Sequence, residues 1–201
     1  MNRNGNIHMT VVEQPKASAA EQPKASVASA LRNLYFVRFG FAIAWAVLVF
    51  TIGRTWGAAS MILLVLYPLF DLAAAIVDHR SSRANRSARA LYLNMALSLL
   101  AAVGLAFAVV SGLPAALVVW GAWAITAGAV QLILAIMRRS LGGQWSMIFS
   151  GAISVIAGTA FIVQSGTAGA SIVGLAGYAT LGAIFFLISA IRLLSVARSA
   201  A

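Results

Sequence analysis

The sequence predicts an all-α, polytopic membrane protein with six transmembrane helices, arranged as three helical hairpins in parallel repeat. Hydrophobic residues make up 62% of the 201 residues and charged residues only 9%, against roughly 25% charged in an ordinary soluble chain. Neither the 48 residues from 90 to 137 nor the 52 residues from 140 to 191 include a charge. A membrane helix needs about 20 apolar residues. Each uncharged stretch therefore accommodates two spans and a turn.

The six spans are expected near residues 34–53, 55–77, 91–111, 114–137, 145–164 and 171–191. Each is long enough to cross ~30 Å of hydrocarbon at a rise of about 1.5 Å per residue. The apolar runs are continuous and do not alternate with polar residues, which favours helices over a transmembrane β-barrel. Together they form a predicted membrane domain over residues 33–194, followed by a short cytoplasmic C-terminus at 195–201.

The predicted N-terminal segment, residues 1–32, carries a tandem octapeptide, EQPKASAA at 13–20 and EQPKASVA at 21–28. Its low hydrophobicity and repeated Pro and Lys indicate a disordered cytoplasmic tail. A duplicated flexible linker is the simpler interpretation, and a docking motif is the alternative. The first apolar run lacks the short basic head and cleavage site of a signal peptide, so we expect the first span to remain as an anchor.

Basic residues predict the orientation of the spans. The net charge of +10 resembles that of a nucleic-acid-binding protein, but the uncharged stretches exclude a soluble DNA-binding domain. On the expected topology thirteen basic residues lie on one side of the membrane and Arg54 alone on the other. The thirteen are Arg3, Lys16, Lys24, Arg32, Arg38, Arg80, Arg83, Arg86, Arg89, Arg138, Arg139, Arg192 and Arg198. The positive-inside rule places that side, and both termini, in the cytoplasm.

An internal repeat relates the last four spans. Shifting the chain by 54 residues aligns spans three and four with spans five and six without a gap. The identities include Gly104/Gly158, Ser111/Ser165, Gly112/Gly166, Gly128/Gly182 and Arg138/Arg192. The first hairpin matches only weakly, mainly through Gly53. Because the repeated unit is a two-helix hairpin, its copies keep one orientation and form parallel, not inverted, repeats.

These features resemble the HdeD-like bacterial membrane proteins, a group built on a short membrane repeat of unknown function. The local similarity lies in GAWAI at 121–125, QL at 131–132, QWSMI at 144–148, SG at 150–151 and AG at 157–158. The resemblance covers roughly residues 34–194. It implies a six-helix fold, the bacterial cytoplasmic (inner) membrane and a role in acid or envelope stress. It supplies no catalytic residues.

Asp71 is the one acidic residue expected inside a span, about seven residues from its cytoplasmic end. An ionisable side chain at such a depth is costly and should face the interior of the bundle. Arg38 lies at a comparable depth in the first span. Three interpretations remain open: an Arg38–Asp71 ion pair, a proton or solute site, and contact with interfacial water.

Asn94 and Gln131 are expected in the cytoplasmic halves of their spans. With Asp71 and Arg38 they could form one intramembrane polar cluster. The alternative is that each forms an isolated interhelical hydrogen bond, worth about 0.6 kcal/mol.

Small residues at helical spacing indicate where helices pack closely. Contact between helices of one bundle is the simpler interpretation, and contact within a homo-oligomer is the alternative. The residues singled out are Gly128, Ser150, Ser154, Gly158 and Gly182.

Arg80, Arg83, Arg86 and Arg89 recur every third residue in the loop between the second and third spans. They suit the head groups of anionic phospholipids in the bilayer, or they serve only to set the topology.

No pattern in the sequence predicts an enzyme, a cofactor or a metal site. The chain has no cysteine, and neither His8 nor His79 has a partner at metal-ligand spacing. Asp71 and Asp78 are seven residues apart, about 10.5 Å along a helix, too far to act as a coupled acid–base pair. Two functions remain: a non-enzymatic stress-resistance protein, and a small proton-coupled or passive transporter or channel that uses Asp71.

Overall fold

The computed structural model describes residues 18–81, 88–137 and 145–199, and these residues form six helices with no strand among them. The helices are α1 (Ser18–Ile52), α2 (Ala58–Ser81), α3 (Ala88–Ser111), α4 (Leu113–Met137), α5 (Trp145–Ser165) and α6 (Val173–Ser199). All six are long and apolar enough to cross a membrane. The predicted all-α class with six membrane-spanning helices is therefore confirmed.

Helix α1 begins at Ser18, well before the expected start of the membrane domain at residue 33. The expectation of a disordered tail through residue 32 therefore differs from the structure over residues 18–32, while residues 1–17 lie outside the described part. Ala, Glu, Gln and Lys, which are abundant here, favour helix. A helix already nucleated by the apolar span also extends into such a segment at little cost.

Neighbouring helices run antiparallel and form a ring. The closest packing joins α4 to α5, α1 to α6 and α2 to α3, while α3–α4 and α1–α2 pack less and α5–α6 hardly touch. The packing does not show the expected repeat of hairpins: α3 and α4 lie together, but α5 packs on α4 and α6 packs on α1. The six helices thus associate as three tight pairs around a central space.

Four glycines allow α4 and α5 to approach closely. A Cβ added at Gly158 would lie 2.6 Å from the Gly121 carbonyl oxygen, and one at Gly128 would lie 2.9 Å from the Gly151 carbonyl oxygen. Each helix contributes two glycines seven residues apart, which is two helical turns and therefore one face. Backbone contact replaces side-chain contact along this seam, as expected of membrane helices.

Gly182 is a correction to the expected packing residues. A Cβ built there would meet no atom within 4 Å, and the residue lines the central cavity. The 54-residue repeat pairs Gly182 with Gly128, but the surroundings of the two residues differ. Gly128 lies on the face of α4 that packs against α5, whereas Gly182 lies on the face of α6 that borders the cavity. Two residues that are equivalent in the repeat therefore have different environments in the fold.

A buried core closes the half of the bundle that contains the end of α1 and the start of α2. All six helices contribute to it, and its largest fully buried side chains include Trp45 and Trp120. The two indole rings stack with centroids 5.3 Å apart, and the Trp45 Nε1–H donates to the Leu63 carbonyl oxygen at 2.7 Å. We call this half the closed end. The other half, where α2, α4 and α6 end, is the arginine end.

The outward faces of the helices are apolar. Leu100, Phe107, Val110, Ile156 and Val163 are each at least 69% exposed, which a water-facing surface would not tolerate as a continuous band. With six spanning helices, this surface is that of an integral, multi-pass membrane protein.

Candidate functional site

A cavity of about 580 Å³ lies at the centre of the ring, and residues of all six helices line it. Its volume is within the roughly 300–1,000 Å³ typical of small-molecule sites. The cavity reaches Asp78, Ala90 and Ser146 near the helix ends at the arginine end. In the other direction it ends at Tyr67 and Trp123, beyond which the buried core begins.

Asp71 lies in the wall of this cavity. The Ser98 hydroxyl donates to Oδ2 at 2.6 Å, and the Asn94 side-chain amide donates to the same oxygen at 3.3 Å. The Arg38 Nη2 lies 3.5 Å from Oδ1. Donors from α1 and α3 therefore surround a carboxylate on α2, which offsets the cost of placing that charge inside a membrane.

Arg38 is less well satisfied than its partner. Its guanidinium lies over the Phe186 ring, 5.2 Å from the centroid, and the side chain is 14% exposed. Its Nε–H is buried and has no hydrogen-bond partner among the described residues. A guanidinium offers five N–H donors, so the 3.5 Å ion pair uses only a small part of the donor capacity of Arg38.

Three of the four expected cluster residues meet. Arg38, Asp71 and Asn94 lie in direct contact, while Gln131 lines the same cavity but donates to the Met147 carbonyl oxygen of α5 at 3.2 Å. Gln131 therefore does not bond to Asp71, because it stands on the helix pair α4–α5 on another side of the cavity. Its role is to join those two helices.

Ser98 is a site residue that the sequence analysis missed. It is fully buried and makes the shortest hydrogen bond to Asp71. Its spacing gave a usable signal, because residues four apart share one face of a helix and Ser98 follows Asn94 by four.

Asp78 is the second residue that was missed. The second span was expected to end at residue 77, but α2 continues to Ser81. Asp78 is consequently only 6% exposed and lines the cavity near the arginine end. It is engaged in an interaction of its own within the fold.

Ser154 and Tyr178 connect α5 to α6 across the cavity wall. The Ser154 hydroxyl donates to the Ser150 carbonyl oxygen at 2.9 Å, so the Tyr178 hydroxyl, 3.0 Å away, is the donor to Ser154. Tyr178 also meets Phe161 edge to face. The expected packing residues Ser150 and Ser154 thus line the cavity, and Ser154 also lies against Gly128.

The structure describes two of the four arginines predicted to contact lipid head groups. Arg80 and Arg89 are exposed at the ends of α2 and α3, while Arg83 and Arg86 lie outside the described residues. Within the described ranges, no three His, Cys, Asp or Glu side chains are grouped as a metal ion would require. Comparisons with protein-family models, with curated proteins and with solved structures found no match to this chain.

Proposed function

We propose that the protein is a small-solute transporter of the bacterial inner membrane, with both termini in the cytoplasm and the central cavity as its substrate site. One observation carries this proposal: the cavity reaches the arginine end of the bundle and is sealed at the closed end, and an ion pair lies at its depth. Ionisable groups inside a membrane mark substrate and proton pathways.

A transporter exposes one site to the two sides of the membrane in turn. In the structure described, the site faces the arginine end, and the stacked rings of Trp45 and Trp120 block the other side. The glycine contacts make α4 and α5 one unit, whereas α5 and α6 hardly touch. Movement of the α4–α5 pair against the α1–α6 pair is therefore the least costly way to open the closed end.

Asp71 supplies a proton-sensitive element. An ionised Asp71 attracts Arg38, whereas a protonated Asp71 keeps its neighbours Ser98 and Asn94 but no longer offers Arg38 a countercharge. Uptake of one proton thus releases a cation into the cavity. Such coupling is what a proton-linked transporter requires and a passive pore does not.

The test is proton movement in liposomes. Purified protein would be reconstituted with an internal pH-sensitive dye and supplied with mixtures of small organic acids, amines and neutral solutes. We expect solute-dependent proton movement that Asp71→Asn abolishes and that Arg54→Gln, at the closed end, leaves intact. If no mixture moves protons or solute, the transporter proposal is wrong.

The proposed orientation has a separate test. Residue Gly169 lies between α5 and α6, which places it on the periplasmic side if the termini are cytoplasmic. A phosphatase that is active only outside the cytoplasm should be active when fused there. A reporter active only in the cytoplasm at that position would reverse the orientation.

We further propose that the chain is related to the HdeD-like group and contributes to acid or envelope stress resistance. The resemblance over residues 34–194 supports this, and proton-linked solute movement is one way in which such a protein contributes to acid survival. A deletion strain should survive acid shock less well. Complementation by the unmodified gene but not by Asp71→Asn would link that phenotype to the cavity.

A further inference from the structure

We propose that the solute bound in the cavity is a small organic monoanion with an apolar body, that its carboxylate binds Arg38, and that it binds together with a proton on Asp71. This inference rests on the proposed transport function and specifies its substrate class. It follows from two observations: Asp71 has more hydrogen-bond partners than Arg38, and aromatic side chains line the cavity around them.

The carboxylate of Asp71 already accepts several hydrogen bonds, whereas the guanidinium of Arg38 has donors to spare. Asp71 accepts hydrogen bonds from Ser98 at 2.6 Å and Asn94 at 3.3 Å in addition to its ion pair. Arg38 pairs with the Asp71 carboxylate at 3.5 Å and lies over the Phe186 ring, and its buried Nε–H has no hydrogen-bond partner among the described residues. A second donor, the Trp123 Nε1–H on the cavity wall, is also without a partner there. A ligand that satisfies this site must accept hydrogen bonds, as a carboxylate does.

The surroundings favour a negative ligand with an apolar body. Aromatic side chains make up much of the cavity wall: Tyr35, Tyr67, Trp123, Tyr178, Phe185 and Phe186. At the arginine end, Arg80, Arg89 and Arg192 are exposed at helix ends and attract anions toward the cavity. Asp78 opposes this field in part, but it is held by an interaction of its own.

The proton and the anion favour each other's binding. An ionised Asp71 competes with the ligand carboxylate for Arg38 and repels that carboxylate. A protonated Asp71 does neither. Each ligand therefore raises the affinity of the other by the same factor, as linkage requires. The proton comes from water at the arginine end and stays on the Asp71 carboxyl, so the bound pair is neutral overall.

The ionisable and polar groups near Asp71 leave it as the proton acceptor. Those that line the cavity are Arg38 on α1, Tyr67 and Asp78 on α2, Asn94 on α3, Gln131 on α4, Ser150 and Ser154 on α5, and Tyr178 on α6. Among them Asp71 is the group that forms the ion pair with Arg38, so its charge state directly controls the availability of that guanidinium.

The experiment uses three probes that share one ring and differ in charge: benzoate, benzylamine and benzyl alcohol. Each would be titrated calorimetrically into the purified full-length protein in detergent. We expect benzoate to bind at least about tenfold more tightly than the other two, because hydrogen bonds to an ionised acceptor are stronger than those to a neutral one. Arg38→Gln should remove that preference, and Arg54→Gln at the closed end should keep it.

The proton linkage is tested at about pH 6 and about pH 8, where benzoate is ionised. Benzoate should bind more tightly at the lower pH and take up protons from the buffer. Asp71→Asn should bind benzoate with little dependence on pH, because the competing charge is gone. Retained pH dependence in Asp71→Asn would contradict the linkage.

The outcomes separate the inference from the proposed function. Preferential binding of benzylamine or benzyl alcohol overturns the anion assignment and leaves transport standing. Binding of benzoate without any flux in liposomes supports the anion site and overturns transport. If none of the probes binds, the anion assignment is wrong whatever the flux measurements show. The comparison of probes on the unmodified protein holds even if Arg38→Gln does not fold.

Discussion

At the scale of single residues, the ion pair between Arg38 and Asp71 places two charges within membrane-spanning helices. Two charges inside a membrane persist only when hydrogen bonds and packing offset their desolvation. Ser98 and Asn94 provide those bonds on the acidic side. In the described part of the chain the basic side has the ion pair and the Phe186 ring but no further hydrogen bond, and this asymmetry leaves Arg38 available to the proposed ligand.

Removing the Ser98 hydroxyl should destabilise the fold by about 1.5–3 kcal/mol, because its bond is short and its acceptor charged. Asn94→Ala, which loses a bond of 3.3 Å, should cost less. In an Asp71→Asn background the cost of Ser98→Ala should fall toward about 0.6 kcal/mol, the usual value for hydrogen bonds between membrane helices. Unfolding titrations in mixed micelles measure this cycle, and an equal cost in both backgrounds would contradict a charged acceptor.

The stacked tryptophans of the closed end provide a matched pair. Both side chains are almost fully buried, but the Trp45 Nε1–H donates to Leu63 and the Trp120 Nε1–H has no partner among the described residues. Trp45→Phe should therefore lower stability by about 1 kcal/mol more than Trp120→Phe. Thermal aggregation followed by size-exclusion chromatography measures the difference. A larger loss for Trp120→Phe would mean that its N–H is bonded after all.

At the scale of helices, the contact between α4 and α5 depends on the absence of side chains. Two glycines on each helix let the backbones meet, and dispersion contacts and close packing, not the hydrophobic effect, hold helices together in lipid. The weakly packed α5–α6 boundary is bridged by the Tyr178–Ser154 hydrogen bond. We therefore expect the α4–α5 contact to stabilise the bundle and the α5–α6 boundary to be the one that moves.

Gly158→Ala should destabilise the bundle by about 1–3 kcal/mol, because the new Cβ would overlap the backbone of Gly121 and force the helices apart. The control is Gly182→Ala, where a Cβ meets no atom within 4 Å. That change should be neutral or stabilising by up to about 1 kcal/mol, since alanine is the better helix former. Comparable losses for both variants, measured by unfolding in mixed micelles, would argue against the glycine contact.

At the scale of the whole molecule, the ring of six helices is closed at one end and hollow at the other. The 54-residue repeat does not explain this asymmetry, because it relates spans three and four to spans five and six and not one end of the bundle to the other. It comes from the distribution of side chains: tryptophan and leucine fill the closed end, while serine, glycine and alanine alternate with aromatic rings around the cavity and leave space near Asp71.

Single-cysteine variants test the one-sided cavity directly, because the chain has no cysteine of its own. Ala127 lines the cavity, whereas its neighbour Thr126 is exposed on the outer surface of the bundle. A membrane-impermeant maleimide should label Ala127→Cys from the arginine end and leave Thr126→Cys unlabelled, since the reagent requires a thiolate in water.

The sidedness of labelling is the control for this prediction. Inverted vesicles expose the cytoplasmic side and spheroplasts the other, so with the proposed orientation Ala127→Cys should react in the vesicles alone. Equal reaction in both preparations would show a continuous pore, and no reaction in either would show a cavity closed to water.

Several parts of the site could be read from the sequence, and for a physical reason. An ionisable residue in a long apolar run is costly unless it finds a partner inside the bundle, so pairing of Asp71 with Arg38 at a matching depth was one of the three interpretations of Asp71, and it is the arrangement found. Gln131 could not be assigned in this way. Depth along a helix says how far a residue lies from the membrane surface but not toward which neighbour it points.

Composition and hydropathy are enough to specify six membrane helices, because lipid requires about 20 apolar residues per span and internally satisfied backbone groups. They also indicate that Asp71 lies within a span, but they do not show that Ser98 and Asp78 are buried. Packing alone reveals the pairing of α4 with α5 and of α6 with α1, the cavity, and the different environments of Gly128 and Gly182. Nearly every residue of these spans is apolar, so hydrophobicity cannot distinguish a face that meets lipid from one that meets another helix. Close contact between particular side chains and backbones makes that distinction.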